Sequence, residues 1–468
     1  MNYLKQFIRT SGIFFIGNTL TKLIGLFLLP LYTLKINPED FGYYDLTISL
    51  INLIIPIVFF QVWDSIFRFT FDYEKTRDKY VVISNGIAIQ CFGLVVYTVL
   101  FFVVVNSINY DISYKYLIFS QGMLYAFQYY YSFVARSFSK NTLLVATGLI
   151  NSIVSIMGNI ILIVLYDMGI EALYISYIVG TLLQIIVLEK KVKLARYFKI
   201  STISFSLMKK LILFSLPLCL ATVSYWLLSG LIRLVISNKL GMYENGLYGI
   251  TNRLSSVIVL IVNSFQLAWY EMSYSMGKEK DKKGYYKNSL NYILKVILYI
   301  GSISLIIIKI IFPYMVAEQY YEALIIIPIT FIGVLINSYA SFASTLFLAE
   351  KDSSKLLMPT VISAVINIVG LGLLTDTFGL IGATLSLSIA FLVNSLIITT
   401  KLKKQYDISL EVPTLLGGLA SLIVSTLVFY YFEGIYLIIF LLLLAVVVIY
   451  IFNDILMILF KLLKSTKS

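Results

Sequence analysis

The chain has 468 residues, of which 59% are hydrophobic and 13% charged, and its mean hydropathy is +0.91. Soluble domains carry roughly a quarter of their residues as charged side chains, so this composition excludes a soluble globule and describes a polytopic membrane protein. A net charge of +12 leaves nucleic acid, an anionic membrane surface or an acidic ligand open as partners, whereas the absence of histidine excludes His-based catalysis and His proton relays.

At about 20 apolar residues per span, fourteen transmembrane helices are predicted. Lys5 and Arg9 precede an apolar run far longer than a signal-peptide h-region, with no small-residue cleavage site, so residues 12–34 form the first span. It carries Lys22 on one stripe with Asn18, Thr21 and Gly25. A mid-span cation costs at least about 2.5–3.5 kcal/mol to insert, so Lys22 is expected to face a bundle interior or watery cavity. The turn Asn37-Pro38-Glu39-Asp40 leads into span two, 43–67, with Asp45 near its outer end and Asp64 near its inner end, followed by Arg68. Spans 81–105 and 115–135 come next; Tyr129-Tyr130-Tyr131 ends the latter, an interfacial aromatic belt by the simpler reading and a sugar-stacking site by the alternative, and Arg136 follows. Spans 142–166 and 170–189 meet at Asp167-Met168-Gly169, and the Lys-rich stretch 190–210 reads as a linker.

Span seven, 208–236, carries Arg233 on a polar stripe with Thr222, Trp226, Ser229 and Ser237; span eight, 246–272, carries Arg253 and Glu271. Lys295 and Lys309 lie on span nine, 289–312. Spans 321–348, 356–375, 379–400, 410–432 and 434–460 complete the series. Cys91 and Cys219 sit in apolar runs without ligand-spaced neighbours, so neither a disulfide nor a metal site is expected.

With a cytoplasmic N-terminus, the outer loops hold only Lys35, Lys115 and Lys239 of the 36 basic residues, and most of the rest fall in cytoplasmic segments. The positive-inside rule then puts both termini in the cytoplasm. Topology and anionic lipid thus account for the basic balance, leaving nucleic acid without a role.

Two pairs of segments repeat. The run from Thr147 and the run from Thr360 share an Asn/Ser-striped helix, Asp, Gly and a second apolar helix, matching Gly169 to Gly379; Gly42-Tyr43-Tyr44 pairs with Gly246-Leu247-Tyr248, at offsets of 210 and 204. Spans 1–6 (residues 1–200) and 7–12 (201–405) read as parallel six-helix lobes, with 406–468 as an added helix pair. Parallel repeats are a transporter signature, with the substrate path between the halves.

Arg233, Arg253 and Lys22 together with Arg68, Arg136 and Lys295 are the candidate substrate-binding cations, and Asp45, Asp64 and Glu271 the candidate ion-coupling acids. For Arg68 the plainer reading is an i, i+4 pair with Asp64 and a snorkelling head. Arg136 and Lys295 suit interfacial anchoring equally well. No clustered acidic motif or large extramembrane loop points to an enzyme.

Three stretches, GNTLTKLIGLFLLPLYT and NPEDFGYYDL over 17–46, DSIFRF at 64–69, and RLVIS with LGMYENGLYGITNRL over 233–254, resemble the polysaccharide flippase (Wzx-type) family of the multidrug/oligosaccharidyl-lipid/polysaccharide exporter superfamily. Lys22, Arg68, Arg233 and Arg253 match positions where that family places basic residues. One departure is Ile232, where the family often has Asp, so Arg233 needs another acid or a ligand phosphate. The resemblance implies alternating access through a cationic cavity in the bacterial inner membrane. The cargo is then a polyprenyl-diphosphate-linked oligosaccharide moved outward for capsule, O-antigen or other surface glycan. Movement would be coupled to H⁺, Na⁺ or the membrane potential, alongside a polysaccharide polymerase and other assembly proteins. The alternatives are an ion-coupled multidrug antiporter of the same superfamily and a non-transporting membrane scaffold.

Overall fold

The structure, a computed structural model, describes residues 26–73, 75–107, 112–276, 282–350 and 352–453. Within them there are helices and connecting turns, with no strand. In chain order the main helices are α1 (Leu29–Lys35), α2 (Pro38–Val58), α3 (Val62–Thr70), α4 (Thr76–Ser107), α5 (Lys115–Ser137), α6 (Asn141–Ile160) and α7 (Glu171–Val192). These are followed by α8 (Phe205–Ser229), α9 (Leu231–Lys239), α10 (Met242–Met276), α11 (Lys282–Met315), α12 (Ile327–Ala349), α13 (Leu357–Tyr406), α14 (Val412–Tyr431) and α15 (Ile435–Ile451). Nine helices among the described residues are long and apolar enough to cross a membrane. The all-α polytopic fold expected from composition is the one observed; of the fourteen predicted spans, residues 12–25 of the first and 454–460 of the last lie outside the described residues.

Differences from the predicted spans have local causes. Span two is two helices, α2 and α3. Pro56 lacks the N–H that would continue the ladder, and α2 stops at Val58. Phe60 and Gln61 then take left-handed backbone (φ 53° and 44°), with the Gln61 N–H bonded back to the Pro56 carbonyl at 2.8 Å in a Schellman-type closure. Span seven is likewise α8 and α9, parted at Gly230. Spans eleven and twelve run together as α13 except at Gly379 (φ 57°, ψ −135°), inside the Asp376-Thr377-Phe378-Gly379 turn. The start of α2 is built as its sequence suggests: the Asn37 side chain caps the Asp40 N–H at 2.8 Å, Pro38 opens the first turn, and Glu39 and Asp40 sit at the positive end of the helix dipole.

The chain divides into two compact units, Met1–Gly246 and Leu247–Ser468. In the first, α3, α4, α5, α7 and the start of α8 close over an apolar core that includes Val62, Ile66, Ile83, Tyr130, Leu188 and Leu211. In the second, α11 packs against α14 and α15, and α12 against α13.

Hydrogen bonds extend the internal repeat beyond the matched glycines. Buried Asn85 on α4 donates to the carbonyls of Val81 and Thr202 and accepts from the Ser204 N–H at 2.7 Å. Buried Asn291 on α11 donates to the carbonyls of Lys287 and Ser409 and accepts from the Glu411 N–H at 2.8 Å. Each asparagine thus pins the segment entering α8 or α14 in the same way. The hairpins match too. A Cβ on Gly158 would stand 2.7 Å from Ser176 Oγ, and one on Gly370 would stand 2.4 Å from Ser386 Oγ. Small residues permit these close helix contacts where no hydrophobic drive separates helix from lipid.

Candidate functional site

A cavity of about 500 Å³ lies in the first unit, walled by α2, α3, α5, α8 and α9. That volume falls within the roughly 300–1,000 Å³ of small-ligand pockets. From α2 it receives Asp45, Ser49 and Asn52, followed by Pro56, a stripe at helical i, i+4, i+7 and i+11 spacing. The α2/α3 break brings Gln61 and Trp63 to its wall, α5 adds Tyr125 and Tyr129, and α8 and α9 add Thr222, Tyr225, Trp226, Ser229 and Arg233.

Arg233 is paired with Asp45: its Nε donates to Asp45 Oδ2 at 2.5 Å, and each side chain is 14% exposed. Asp45 thereby supplies the acid that Ile232 does not. Arg233 Nη1 also reaches the Ser229 carbonyl at 3.4 Å. Below this pair the Trp226 indole N–H donates to the Ser49 carbonyl at 2.9 Å and to its Oγ at 3.1 Å. Gly230 makes this possible, since a Cβ there would lie 2.4 Å from the indole nitrogen. At the other end Thr222 Oγ1 donates to Gln61 Oε1 at 2.9 Å, and Gln61 Nε2 donates to Asp64 Oδ2 at 2.7 Å. Side-chain hydrogen bonds therefore tie α2 and α3 to the antiparallel α8 and α9 along the cavity.

Of the tyrosine triplet only Tyr129 faces this space, with its ring 5.5 Å from Trp63 and 4.6 Å from Tyr125. Tyr130 is buried and donates to the Ile83 carbonyl at 2.6 Å.

The other candidates are placed elsewhere. Arg68, at the end of α3, pairs with Asp72 at 2.6 Å and not with Asp64. Asp64 is held from its own N-terminal side by Gln61, while the heads of Arg68 and Asp72 are more than half exposed, so the arginine turns toward the wetter end. Arg136 stacks over Phe67 at 5.0 Å and Phe133 at 5.2 Å, a cation–π arrangement beside α3. Arg253 and Lys295 belong to the second unit; Arg253 is half-buried on α10, and Lys295 donates to the Ile451 carbonyl at 3.3 Å over the Phe452 ring. Lys22 and the side chain of Glu271 lie outside the described residues. Among the described residues no cluster of acidic or thiol side chains is arranged to hold a metal ion.

Sequence reasoning found the Arg233 stripe but not Ser49, Asn52 and Gln61. The i, i+4, i+7 recurrence from Asp45 carried that signal, and Gln61 was marked by being polar five residues after a proline within an apolar span.

Broken helices thus surround a polar pocket in an all-α polytopic chain. The fold is similar to that of the lipid II flippase MurJ in its inward closed conformation, with a TM-score of 0.68 and 18% identity over 95% of this chain and 98% of that one. It is also similar to a multidrug resistance MATE family transporter of the MOP superfamily. In the inward-facing form the TM-score is 0.67 at 12% identity, covering 88% of this chain and 95% of that one. For the outward-facing form of such a transporter it is 0.57 at 13% identity, covering 90% and 96%. No curated protein sequence matches significantly. Residues 7–276 match the polysaccharide biosynthesis protein family, and the chain belongs to it.

Proposed function

We propose that this protein is a flippase, not an enzyme, that moves a polyprenyl-diphosphate-linked oligosaccharide from the cytoplasmic to the outer leaflet of a bacterial inner membrane. The observation that carries this reading is a cavity holding a guanidinium at one end and an aromatic and amide wall along the rest. The Arg233 fork suits phosphate oxygens. Trp63, Tyr125 and Tyr129 offer faces for sugar rings, and Asn52, Gln61 and Thr222 offer neutral hydrogen-bonding groups for hydroxyls. Membership of the polysaccharide biosynthesis family points to the same cargo. The polyprenyl tail remains in lipid while the head group crosses. With the negative charge moving outward, an inside-negative potential assists by roughly 2.3 kcal/mol per charge per 100 mV if the whole field is crossed. Arg68 and Arg136, near the cytoplasmic end in the predicted topology, would attract the head group, and a polymerase and other assembly proteins would consume it outside.

Leaflet-resolved measurement of lipid-diphosphate-linked saccharide tests the reading, comparing wild type with Arg233→Ala at matched protein levels. Accumulation on the cytoplasmic leaflet in the variant is expected. A wild-type distribution would remove Arg233 from the translocation path. The fold's likeness to multidrug transporters favours cation antiport as the second reading, for which Arg233→Ala would instead change drug efflux and leave the glycan intermediates alone.

A further inference from the structure

Arg233 and Asp45 both line the cavity and are paired with one another. A guanidinium held against a carboxylate is engaged by the same kind of oxygen that a phosphate offers, and phosphate brings more charge and more acceptors to the fork. Arg233 cannot serve both fully, because a phosphate seated on it stands beside the Asp45 carboxylate and like charges repel in a poorly solvated space. The surroundings permit the change of partner. Arg233 is in the first turn of α9, three residues beyond the break at Gly230, and its backbone N–H bonds to the Gly230 carbonyl at 3.2 Å. Asp45 is on α2, a separate element, so the pair joins two helices and is not built into either one.

We propose that Asp45 is a built-in anion that occupies Arg233 in the empty cavity and is displaced from it by the diphosphate of the cargo. This deepens the flippase reading and rests on it for the identity of the cargo. The exchange makes the pair a selectivity filter: neutral and cationic molecules leave it closed, and only a group that outcompetes a carboxylate opens it. It also keeps the empty carrier from exposing an uncompensated cation to the low-dielectric interior on its return, a condition that costs free energy wherever it arises in a membrane.

Binding of inorganic pyrophosphate to the purified full-length chain, measured by titration calorimetry, tests the exchange. Asp45→Asn removes the competing carboxylate charge while keeping the side-chain volume, and should bind pyrophosphate about tenfold more tightly than wild type. Asp45→Glu retains a competing carboxylate and should stay within about twofold of wild type. Arg233→Gln, alone or combined with Asp45→Asn, should abolish the gain. If Asp45→Asn accumulates poorly, Asp45→Ser carries the same expectation. Equal or weaker binding by the Asn variant, or a gain that survives Arg233→Gln, overturns the exchange. The cargo is decided separately by the leaflet assay. A tenfold gain with an unaltered leaflet distribution in Arg233→Ala would keep the exchange and remove the lipid-linked saccharide. A leaflet defect without the gain would keep the cargo and remove the exchange.

Discussion

Asp45 and Arg233 stand 188 positions apart and meet at 2.5 Å with little exposure. Removing one partner of a little-exposed ion pair is destabilising because the remaining charge loses its carboxylate, so Asp45→Ala should lower the stability of the purified protein by roughly 3 kcal/mol. The double variant Asp45→Ala/Arg233→Met should recover most of the loss; a double-variant cycle in thermal or denaturant unfolding checks this, and strictly additive losses would show that the pair is not coupled. The pair Lys35–Asp167 makes an instructive contrast. Its distance is similar, 2.7 Å, but the side chains are 46% and 80% exposed, Lys35 at the end of α1 and Asp167 in a connecting turn. The Lys35 ammonium, by hydrogen bonding and charge, holds the Asp167 carboxyl below its ordinary range. A depressed folded-state value means that the contribution is present at neutral pH and is lost as pH falls through that lowered range. Exposed pairs add little, so Asp167→Asn should leave the unfolding midpoint at pH 7 nearly unchanged and flatten only the strongly acidic limb of the profile.

At the scale of elements, glycine spacing governs how closely the helices of the first unit approach. A Cβ on Gly42 would fall 2.0 Å from the Met242 carbonyl oxygen, and one on Gly246 would fall 1.9 Å from the Pro38 carbonyl oxygen. Buried Asn245 reinforces the contact by donating to the Gly42 carbonyl at 2.6 Å. The two glycines that the repeat matches therefore lie where the starts of α2 and α10 meet backbone to backbone. Gly246→Ala and Gly42→Ala should each cost about 1–3 kcal/mol or prevent folded protein from accumulating, because rigid backbone cannot yield as a side chain can. Gly148→Ala, with nothing within 4 Å, should be neutral or slightly stabilising and serves as the control in the same expression and unfolding assays. If all three behaved alike, the close approach would have no energetic weight. Here the limit of sequence reasoning is plain. Neither the parting of span seven at Gly230 nor the left-handed turn at Phe60 and Gln61 was visible in the sequence, the latter because neither Phe nor Gln favours that region.

For the whole molecule, the alternation of basic segments leads to a test of topology. We propose that Lys239 faces outward and Lys403 inward, with both termini cytoplasmic. In a variant with Cys91 and Cys219 replaced, a cysteine at position 239 should react with an impermeant maleimide in intact cells, and one at position 403 only after permeabilisation. Labelling of both from outside would contradict the positive-inside assignment. The apolar crossing segments, the sequence repeat and the family resemblance were legible from hydropathy and motif, because a bilayer forces a crossing segment to declare itself by length and composition.

Sequence alone determined that this is a polytopic helical membrane protein with internal repeats, since those properties follow from local composition and from periodicity along one chain. It also singled out Arg233 as a cation needing compensation. Only the tertiary structure decided what compensates it, which of Tyr129, Tyr130 and Tyr131 meets the cavity, and that Arg68 turns to Asp72 in place of Asp64. The physical reason is the same in each case. A side chain's partner is settled by the packing of helices far apart in sequence and by which ends of those helices reach water, and neither is written in the spacing of residues within a single span.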